Sequence, residues 1–399
     1  MKTLLIKGAD KLSAAAALLR QGGLVALPTE TVYGLCANGL DPNAVDRVYA
    51  VKGRPESKPL SLMVSGQEDM DRYASEVPDA ARLLAERFWP GPLTIVLKAA
   101  ENVPALVRAG KPTVGLRCPD HPLTLSVLKL ADVPLAGPSA NPSGLPSPKT
   151  AEDVLTYFDG RIDAVVDGGP CGIGKESTIL DMSVLPYRIL RRGALPEDAV
   201  DDALVSGMKI VGLTGGTGSG KTTVLEYLTK RGALGLDCDA IYHQLLTENT
   251  EMLRELKERF PEAFPAGSFD RKALGKIVFA NQQALADLNA ITHRYVKQEV
   301  RQRLRVHARN GGTAAVIDAI ALIESGLSQL CTMTVGVTAD PAIRTRRIMA
   351  REGISEEYAR SRIAAQKPDS FFTENCTHVL YNNGTVEELE DKCRALFGA

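Results

Sequence analysis

The sequence predicts two α/β domains, one following the other along the chain. Its 399 residues exceed the roughly 100–200 residues of one typical domain. In both halves, apolar runs of strand length alternate with amphipathic stretches of helical length, as in α/β folds. The acidic stretch ALPEDAVDDALVSG precedes Met208 and a new apolar run that resembles the start of a protein. We therefore expect domains at 1–194 and 208–399, with a linker at 195–207.

Short apolar runs predict the strands of the first half, and amphipathic stretches between them predict its helices. The expected strands are Gly23–Leu27, Leu93–Leu97, Thr113–Leu116, Leu135–Gly137 and Ala164–Asp167. The expected helices are Lys11–Arg20, Ala44–Val51, Asp79–Phe88, Pro122–Leu130 and Ala151–Phe158. This alternation predicts a twisted, open α/β sheet.

The same reading applied to the second half predicts a parallel sheet flanked by helices. The expected strands are Lys209–Leu213, Ala315–Asp318, Met333–Val337 and His378–Tyr381. The expected helices are Lys221–Lys230, Glu251–Arg259, Gln282–Arg309, Pro341–Arg351 and Ser355–Ala365.

Composition excludes several classes of protein. Apolar residues make up 44% and charged residues 24%, which is typical of globular domains, and no apolar run reaches the ~18 residues of a membrane span. The seven cysteines are odd in number and form no C-x-x-C pair, which indicates free thiols in a reducing cytoplasm rather than a zinc site. Because the net charge is −1, strong direct binding of tRNA is not expected.

A phosphate-binding loop follows the first strand of the second half. Residues 215–222, GGTGSGKT, match G-x-x-x-x-G-K-[ST], in which backbone N–H groups surround phosphates and the lysine reaches the β- and γ-phosphates. Thr222 can offer its hydroxyl to Mg²⁺. The residues expected to bind ATP here are Gly215, Gly216, Thr217, Gly218, Ser219, Gly220, Lys221, Thr222 and Thr223.

Charged residues downstream suggest the rest of a phosphoryl-transfer site. One of Asp237 and Asp239, after a second expected strand, could take the proton of an attacking hydroxyl, although an Asp there could instead cap the next helix. Arg347 and Arg351 share a helical face and could stabilise a transferring phosphoryl group. The alternative is an ordinary solvated basic face.

Polar residues in the first half follow or end apolar runs, and such positions often converge on one crevice. Cations at alternate positions beside glycine and proline suit a phosphate chain, while each residue alone could equally belong to a turn or cap. The candidates are Thr29, Lys52, Arg54, Lys58, Arg117, Ser139, Asn141, Ser177 and Arg191.

From Met208 onward the chain resembles the dephospho-coenzyme A kinase family. The resemblance rests on the phosphate loop, DCDAIYHQL, VIDAIALIESGL, RRIMAREGISEEYARSRIAAQ and VLYNNG. It implies ATP and Mg²⁺ use, Asp239 as general base with Lys221 also catalytic, and Arg347 and Arg351 as lid arginines. Asp237, Arg271 and His293 are expected on the coenzyme A side. The sequence departs from the family at two positions: Ile320 stands where the family's Asp-x-Pro segment, which begins here at Asp318, usually has proline, and His293 is not followed by proline.

The first half resembles the YrdC-like threonylcarbamoyl-AMP synthases. PTETVYGL, K-x-R at Lys52 and Arg54, VGLRCP, GPSANPSGLPSPKTAEDV, ESTILD and ILRRGA carry the resemblance. It implies that L-threonine, bicarbonate and ATP form threonylcarbamoyl-adenylate and diphosphate, which tRNA t⁶A-modifying proteins then use. Because the reactants are anions, catalysis requires gathered positive charge, and Lys52 and Arg54 are the expected catalytic residues.

Other readings stay open at this stage. The first half could instead be an RNA-binding module or a carbamoyl-transfer module, although its acidic balance and its lack of zinc-type cysteine pairs count against these. The second half could be another small-molecule kinase with a phosphate loop.

Overall fold

The computed structural model describes residues 2–398 and divides into two compact units. The first comprises the chain up to Gly207 together with Arg309–Gly311, and the second comprises Met208–Ala308 and the chain from Gly312 onward. Each unit has its own sheet and its own hydrophobic core.

The first unit is built around one mixed sheet. Its strands are β1 (Leu4–Lys7), β2 (Val25–Leu27), β3 (Gly34–Asn38), β4 (Ser61–Met63), β5 (Ala74–Glu76), β6 (Leu93–Ala99), β7 (Thr113–Arg117), β8 (Leu135–Ala136), β9 (Ala164–Asp167), β10 (Thr178–Asp181) and β11 (Arg188–Arg191). They lie in the order β1-β9-β2-β3-β8-β4-β7-β6-β10-β11, and β5 pairs with β6.

Helices of the first unit cover this sheet. They are α1 (Leu12–Arg20), α2 (Pro42–Lys52), α3 (Met70–Tyr73), α4 (Asp79–Phe88), α5 (Pro122–Ala131), α6 (Ala151–Phe158) and α7 (Glu197–Ser206). Leu19 of α1 and Val127 of α5 pack with Val25 and Leu27 of β2 in one buried cluster. Apolar burial of this kind is the main stabilising term of a domain core, and it holds the strand ends that carry the polar candidates.

The second unit contains a parallel sheet in the order β13-β14-β12-β15-β16. Its strands are β12 (Lys209–Thr214), β13 (Leu234–Asp237), β14 (Ala314–Asp318), β15 (Met333–Thr338) and β16 (His378–Tyr381). Its helices are α8 (Lys221–Thr229), α9 (Cys238–Glu248), α10 (Thr250–Arg259), α11 (Arg271–Ala280), α12 (Gln282–Arg309), α13 (Pro341–Glu352), α14 (Glu356–Ala364), α15 (Asp369–Asn375) and α16 (Val386–Phe397). In such sheets the carboxyl ends of the strands share one edge, where ligands bind.

The predicted α/β class is confirmed for both units, and Asp79–Phe88, Ala151–Phe158, Gln282–Arg309 and His378–Tyr381 have the predicted bounds. Most of the segment 195–207, which was expected to be a linker, forms helix α7. Val200, Ala203 and Leu204 of α7 are buried, and α7 packs against α4. Its apolar residues recur at helical spacing, which the acidic composition of the segment masked.

Candidate active sites

The phosphate loop of the second unit lies between β12 and α8, as expected. Gly215 and Gly220 have positive φ values of 144° and 102°, a region that favours glycine. The ammonium group of Lys221 donates a 3.1 Å hydrogen bond to the carbonyl of Gly215, which folds the side chain back over the loop.

A cavity of about 550 Å³ opens beside this loop. Among the predicted residues, those lining it are Gly216, Thr217, Gly218, Gly220, Lys221, Thr222, Asp237, Asp239, Arg347 and Arg351. Gly215, Ser219 and Thr223 are not among the described residues that line it. Ser219 is buried, and its carbonyl accepts a 2.8 Å hydrogen bond from the side-chain amide of Asn382. This hydrogen bond stabilises the phosphate loop.

Sequence reasoning missed Asp318 and Arg362, which also line the cavity. Asp318 ends β14, directly across the strand register from Asp237 at the end of β13. Burial, with the nearby carboxylates of Asp237 and Asp239 contributing, raises the pKa of Asp318 to about 6, against the opposing effect of Lys221. The rule that polar residues at strand ends face the ligand would have found Asp318. Arg362 belongs to the quoted segment RRIMAREGISEEYARSRIAAQ, which was the available signal.

Asp237 and Asp239 have different structural environments. The carboxylate of Asp237 is the N-cap of α9 and accepts hydrogen bonds from the backbone N–H groups of Asp239 and Ala240, at 2.9 and 3.0 Å. Asp239 lies in the first turn of α9, and within residues 2–398 its carboxylate makes no hydrogen bond or ion pair. The capping alternative is therefore correct for Asp237, and the Asp239 carboxylate is available for a ligand.

The predicted arginines reach the cavity from α13. The guanidinium of Arg347 donates hydrogen bonds to the carbonyls of Asn382 and Gly384, each at 3.1 Å. Arg351 pairs with Glu352 at 2.6 Å, and Arg362 of α14 pairs with the same carboxylate. The basic helix face formed by Arg347 and Arg351 therefore lines the cavity and is not only a solvated surface.

A second cavity of about 220 Å³, largely apolar, adjoins the first. Asp239 and Ile320 line both cavities, whereas Asp237 lines only the phosphate-loop cavity. His293 lies in this second cavity, and burial lowers its pKa despite the opposing charge of Glu324, which favours the neutral imidazole. Arg271, the first residue of α11, does not line this cavity within the described chain.

In the first unit, five of the predicted residues line a cavity of about 140 Å³. They are Arg54, Arg117, Ser139, Ser177 and Arg191. The guanidinium of Arg191 donates to the carbonyl and the hydroxyl of Ser177, at 2.9 and 3.0 Å. Arg54 donates to the carbonyls of Lys58 and Pro59, at 3.2 and 2.9 Å. These cations come from separate segments and converge on one pocket.

Thr29, Lys58 and Asn141 do not line this cavity in the described part of the chain. The Thr29 hydroxyl accepts from the backbone N–H groups of Thr31 and Val32 and so holds a turn. Lys58 is exposed and contributes its carbonyl to Arg54. The amide of Asn141 donates to the carbonyl of Leu145 at 2.6 Å. Thr29 and Lys58 therefore hold residues that line the pocket, without lining it themselves.

Lys52 is also absent from the described lining of the cavity. Only 3% of the residue is exposed, and its ammonium group donates hydrogen bonds to the carbonyls of Ser139 and Asn141. Burial, with a smaller contribution from Arg54, lowers its pKa to about 7. In this structure Lys52 therefore supports the loop that carries Ser139.

Two carboxylates of the first unit were not among the predicted site residues. Glu30 forms a nearly buried ion pair with Arg117 at 2.7 Å, and Thr31 accepts from the same guanidinium at 2.9 Å. Glu176 lines the cavity and accepts from the Ser147 hydroxyl at 2.7 Å, which keeps the pKa of Glu176 below its usual range. Glu30, Thr31 and Glu176 all belong to the quoted motifs, which was the available signal.

Comparisons with known proteins match each half separately. The Sua5/YciO/YrdC family model, described as telomere recombination, matches residues 17–193, and the dephospho-CoA kinase model matches residues 209–388. The chain is 46% identical over 194 residues to a threonylcarbamoyl-AMP synthase of Pyrococcus abyssi, covering 49% of this chain and 57% of that protein. It is 38% identical over 192 residues to a dephospho-CoA kinase of Geobacter sulfurreducens, covering 48% of this chain and 98% of that one.

Other relatives define the extent of the likeness. A putative threonylcarbamoyl-AMP synthase of Methanocaldococcus jannaschii is 38% identical, with 44% of this chain and 82% of that protein covered. A crystal structure of P. abyssi Sua5 complexed with L-threonine matches with a TM-score of 0.50 and 26% identity, covering 85% of this chain and all of that one. The chain spans little more than half the length of the first curated relatives it matches. By these matches the chain belongs to the Sua5/YciO/YrdC family in its first half and to the dephospho-CoA kinase family in its second half.

Proposed function

We propose that this protein is a bifunctional enzyme with one reaction in each unit. The first unit joins ATP, L-threonine and bicarbonate into threonylcarbamoyl-adenylate and diphosphate. The second unit transfers the γ-phosphoryl group of ATP to the 3′-hydroxyl of dephospho-coenzyme A. Names of relatives of both kinds support the proposal.

One observation carries the kinase assignment: Asp239 lines both the phosphate-loop cavity and the adjoining apolar cavity. A carboxylate between donor and acceptor sites can orient an incoming hydroxyl and accept its proton. Lys221, Arg347 and Arg351 line the donor side, where their charges would stabilise the transferring phosphoryl group. His293 and the apolar walls would contact the acceptor.

The donor set beside the phosphate loop fits a divalent cation. The Thr222 hydroxyl and the Asp318 carboxylate line the same cavity, and burial, with smaller contributions from Asp237 and Asp239, raises the pKa of Asp318. Oxygen donors of this kind are the ligands that Mg²⁺ prefers. When bound, Mg²⁺ would neutralise phosphate charge, and Thr222 and Asp318 would hold it. Among the described residues, neither unit contains a group of three or more His, Cys, Asp or Glu side chains that could hold a metal ion.

For the first unit, the convergence of Arg54, Arg117 and Arg191 on one pocket carries the assignment. Threonine carbamate and ATP are both anions, so their reaction requires a site that offsets charge and orients the reactants. Arg54 and Arg191 are available for this role. Arg117 is already paired with Glu30 and would act mainly by shaping the pocket.

Placement in the cell and downstream partners belong to the same proposal. No helix in the described chain is long and apolar enough to span a bilayer, and all seven cysteines are free thiols. We place both reactions in the cytoplasm, where the adenylate would pass to tRNA t⁶A-modifying proteins. Strong direct binding of tRNA by this chain is not part of the proposal.

Acceptor-dependent consumption of ATP tests the proposal on the full chain with Mg²⁺ present. Threonine plus bicarbonate should release diphosphate, and omission of either should abolish the release. Dephospho-coenzyme A should yield ADP, whereas pantothenate and nucleoside monophosphates should not. Equal ADP formation with the other acceptors would indicate a different small-molecule kinase. Absence of threonine-dependent diphosphate, together with binding of tRNA, would instead favour an RNA-binding first unit.

A further inference from the structure

One residue outside the phosphate loop is bound closely to it. The side-chain carbonyl of Gln366 accepts a 3.0 Å hydrogen bond from the backbone N–H of Thr217. The amide nitrogen of the same side chain donates a 2.7 Å hydrogen bond to the Thr217 hydroxyl. Gln366 therefore holds both the main chain and the side chain of the third residue of the loop.

Arg344 completes this arrangement from α13. Its guanidinium donates a 3.0 Å hydrogen bond to the carbonyl of Thr217 and a 2.5 Å hydrogen bond to the side-chain carbonyl of Gln366. Arg344 is only 3% exposed, and its guanidinium lies 3.9 Å from the carboxylate of Asp369. A buried charge is costly unless it is hydrogen-bonded in this way, so the arrangement is strongly constrained.

Glycine at position 216 permits this close approach. A Cβ atom there would lie 2.1 Å from the Arg344 guanidinium and 2.8 Å from the Gln366 carbonyl oxygen. The loop motif does not by itself require glycine at its second position. The glycine at 216 therefore fits the Gln366 and Arg344 side chains and not only the phosphates.

We propose that Gln366, together with Arg344, is a positioning residue that fixes the phosphate loop relative to the arginine-bearing helices α13 and α14. Gln366 follows the end of α14, which carries Arg362, and Arg344 shares α13 with Arg347 and Arg351. Arg347, Arg351 and Arg362 line the phosphate-loop cavity. The inference rests on the proposed kinase function, because the arginines act there on the transferring phosphoryl group.

The arrangement also limits which groups can bind phosphate. Because the Thr217 N–H is already satisfied by Gln366, the loop must bind phosphate through its other backbone N–H groups. Binding of nucleotide should therefore leave the environment of the Thr217 amide unchanged, while the amides around Gly220 and Lys221 change.

Steady-state kinetics of Gln366→Ala in the full chain test the positioning role. Loss of the hydrogen bonds should let the arginines shift relative to the loop, and small misplacements of catalytic groups commonly cost roughly 10- to 100-fold in rate. We expect kcat for dephospho-coenzyme A to fall by about that factor while KM for ATP changes less than about threefold. Gln302→Ala, an exposed glutamine on α12, is the matched control and should behave as wild type.

A double-mutant cycle isolates the contact with the loop. Thr217→Val removes the hydroxyl that Gln366 binds, and the Thr217→Val/Gln366→Ala protein should be no slower than Gln366→Ala alone, since coupled residues are not additive. Additive losses would overturn the proposal. It is also overturned if Gln366→Ala keeps kcat within about twofold of wild type, or if KM for ATP rises as much as kcat falls.

Two further readouts separate this inference from the kinase assignment. If wild-type protein fails to phosphorylate dephospho-coenzyme A, the proposed kinase function is wrong. The contact between Gln366 and Thr217 can then still be tested by calorimetry of ADP binding and by amide hydrogen exchange. Gln366→Ala should bind ADP within about threefold of wild type and should lose protection of the Thr217 amide. Unchanged protection of that amide would overturn the inference even in an active kinase.

Discussion

The carboxylate of Asp237 caps helix α9 by accepting a 2.9 Å hydrogen bond from the backbone N–H of Asp239. Because of this contact, two acids that lie two residues apart have different roles. Asp237 satisfies the start of the helix, as N-cap residues do. Asp239 retains a carboxylate at the junction of the two cavities.

Replacement of each acid by its amide should therefore have unequal effects. Asp239→Asn removes the proton acceptor and should lower kcat of the kinase reaction by roughly 10²–10⁴, with little change in affinity for ATP. Asp237→Asn keeps a good N-cap side chain and should retain turnover within about tenfold. Initial rates of ADP formation measure both. Loss of turnover in Asp237→Asn but not in Asp239→Asn would reverse the assignment, and full turnover in both would exclude each of these two acids as the general base.

Variants in the two units should separate the two activities. Arg54→Ala removes a cation from the first cavity and should reduce threonine-dependent release of diphosphate by about 30- to 1,000-fold, the loss of roughly 2–4 kcal/mol of transition-state stabilisation. Formation of ADP from dephospho-coenzyme A should be unchanged. Lys221→Ala is the reciprocal variant and should show the opposite pattern. Parallel loss of both activities in either variant would contradict separate sites.

Helix α7 should be part of the first folded unit rather than a free connection. Leu204 is 4% exposed, and truncation of buried leucines costs about 2–5 kcal/mol. Leu204→Ala should lower the free energy of unfolding of the first unit by that amount. Trp89 is the sole tryptophan, so its fluorescence during urea unfolding monitors this unit selectively. Val205→Ala, at a less buried position, is the control.

Limited proteolysis gives an independent check of the same helix. We expect no cleavage within 197–206, because a packed helix resists entry into a protease site. Cleavage there under native conditions, or an unchanged unfolding midpoint in Leu204→Ala, would restore the linker interpretation.

Lys52 should make the stability of the first unit depend on pH. Its pKa, lowered to about 7 by burial, lies below its value in the unfolded chain, ~10.4. Between these values the unfolded chain binds a proton that the folded unit releases, so stability rises as pH rises through this window. Relative to Lys52→Met, wild type should gain about 2 kcal/mol between pH 7 and 9, since one pKa unit corresponds to ~1.4 kcal/mol. Urea unfolding followed by Trp89 fluorescence measures the difference, and parallel curves for the two proteins would show that the folded pKa is near normal.

Lys52→Ala should also reduce threonine-dependent release of diphosphate while sparing the kinase reaction. The reason is indirect: without the ammonium group, the carbonyls of Ser139 and Asn141 lose their shared donor and the loop beside the cavity relaxes. We expect a fall in kcat/KM of roughly 10- to 100-fold, measured as diphosphate release with threonine and bicarbonate. An unchanged kcat/KM would contradict a supporting role for Lys52.

The sequence by itself determined the α/β class of each half and the family of each half. It also determined the phosphate loop between β12 and α8. These features depend on local patterns, such as strand-length apolar runs and glycines at loop positions, which act within a few residues. The short strand β3 was not predicted, because its sequence GLCAN begins with glycine and ends with asparagine, residues that are depleted in strands.

Only the tertiary structure determined the role of each candidate residue. Lys52 acts on carbonyls about 90 residues away, Arg117 pairs with Glu30, and Gln366 reaches Thr217 across 149 residues. Composition and spacing could not predict these partners. A buried polar side chain forms hydrogen bonds with whichever suitable groups lie nearest to it in the folded structure. Which groups lie nearest depends on strand order and helix packing, and no short stretch of sequence encodes these.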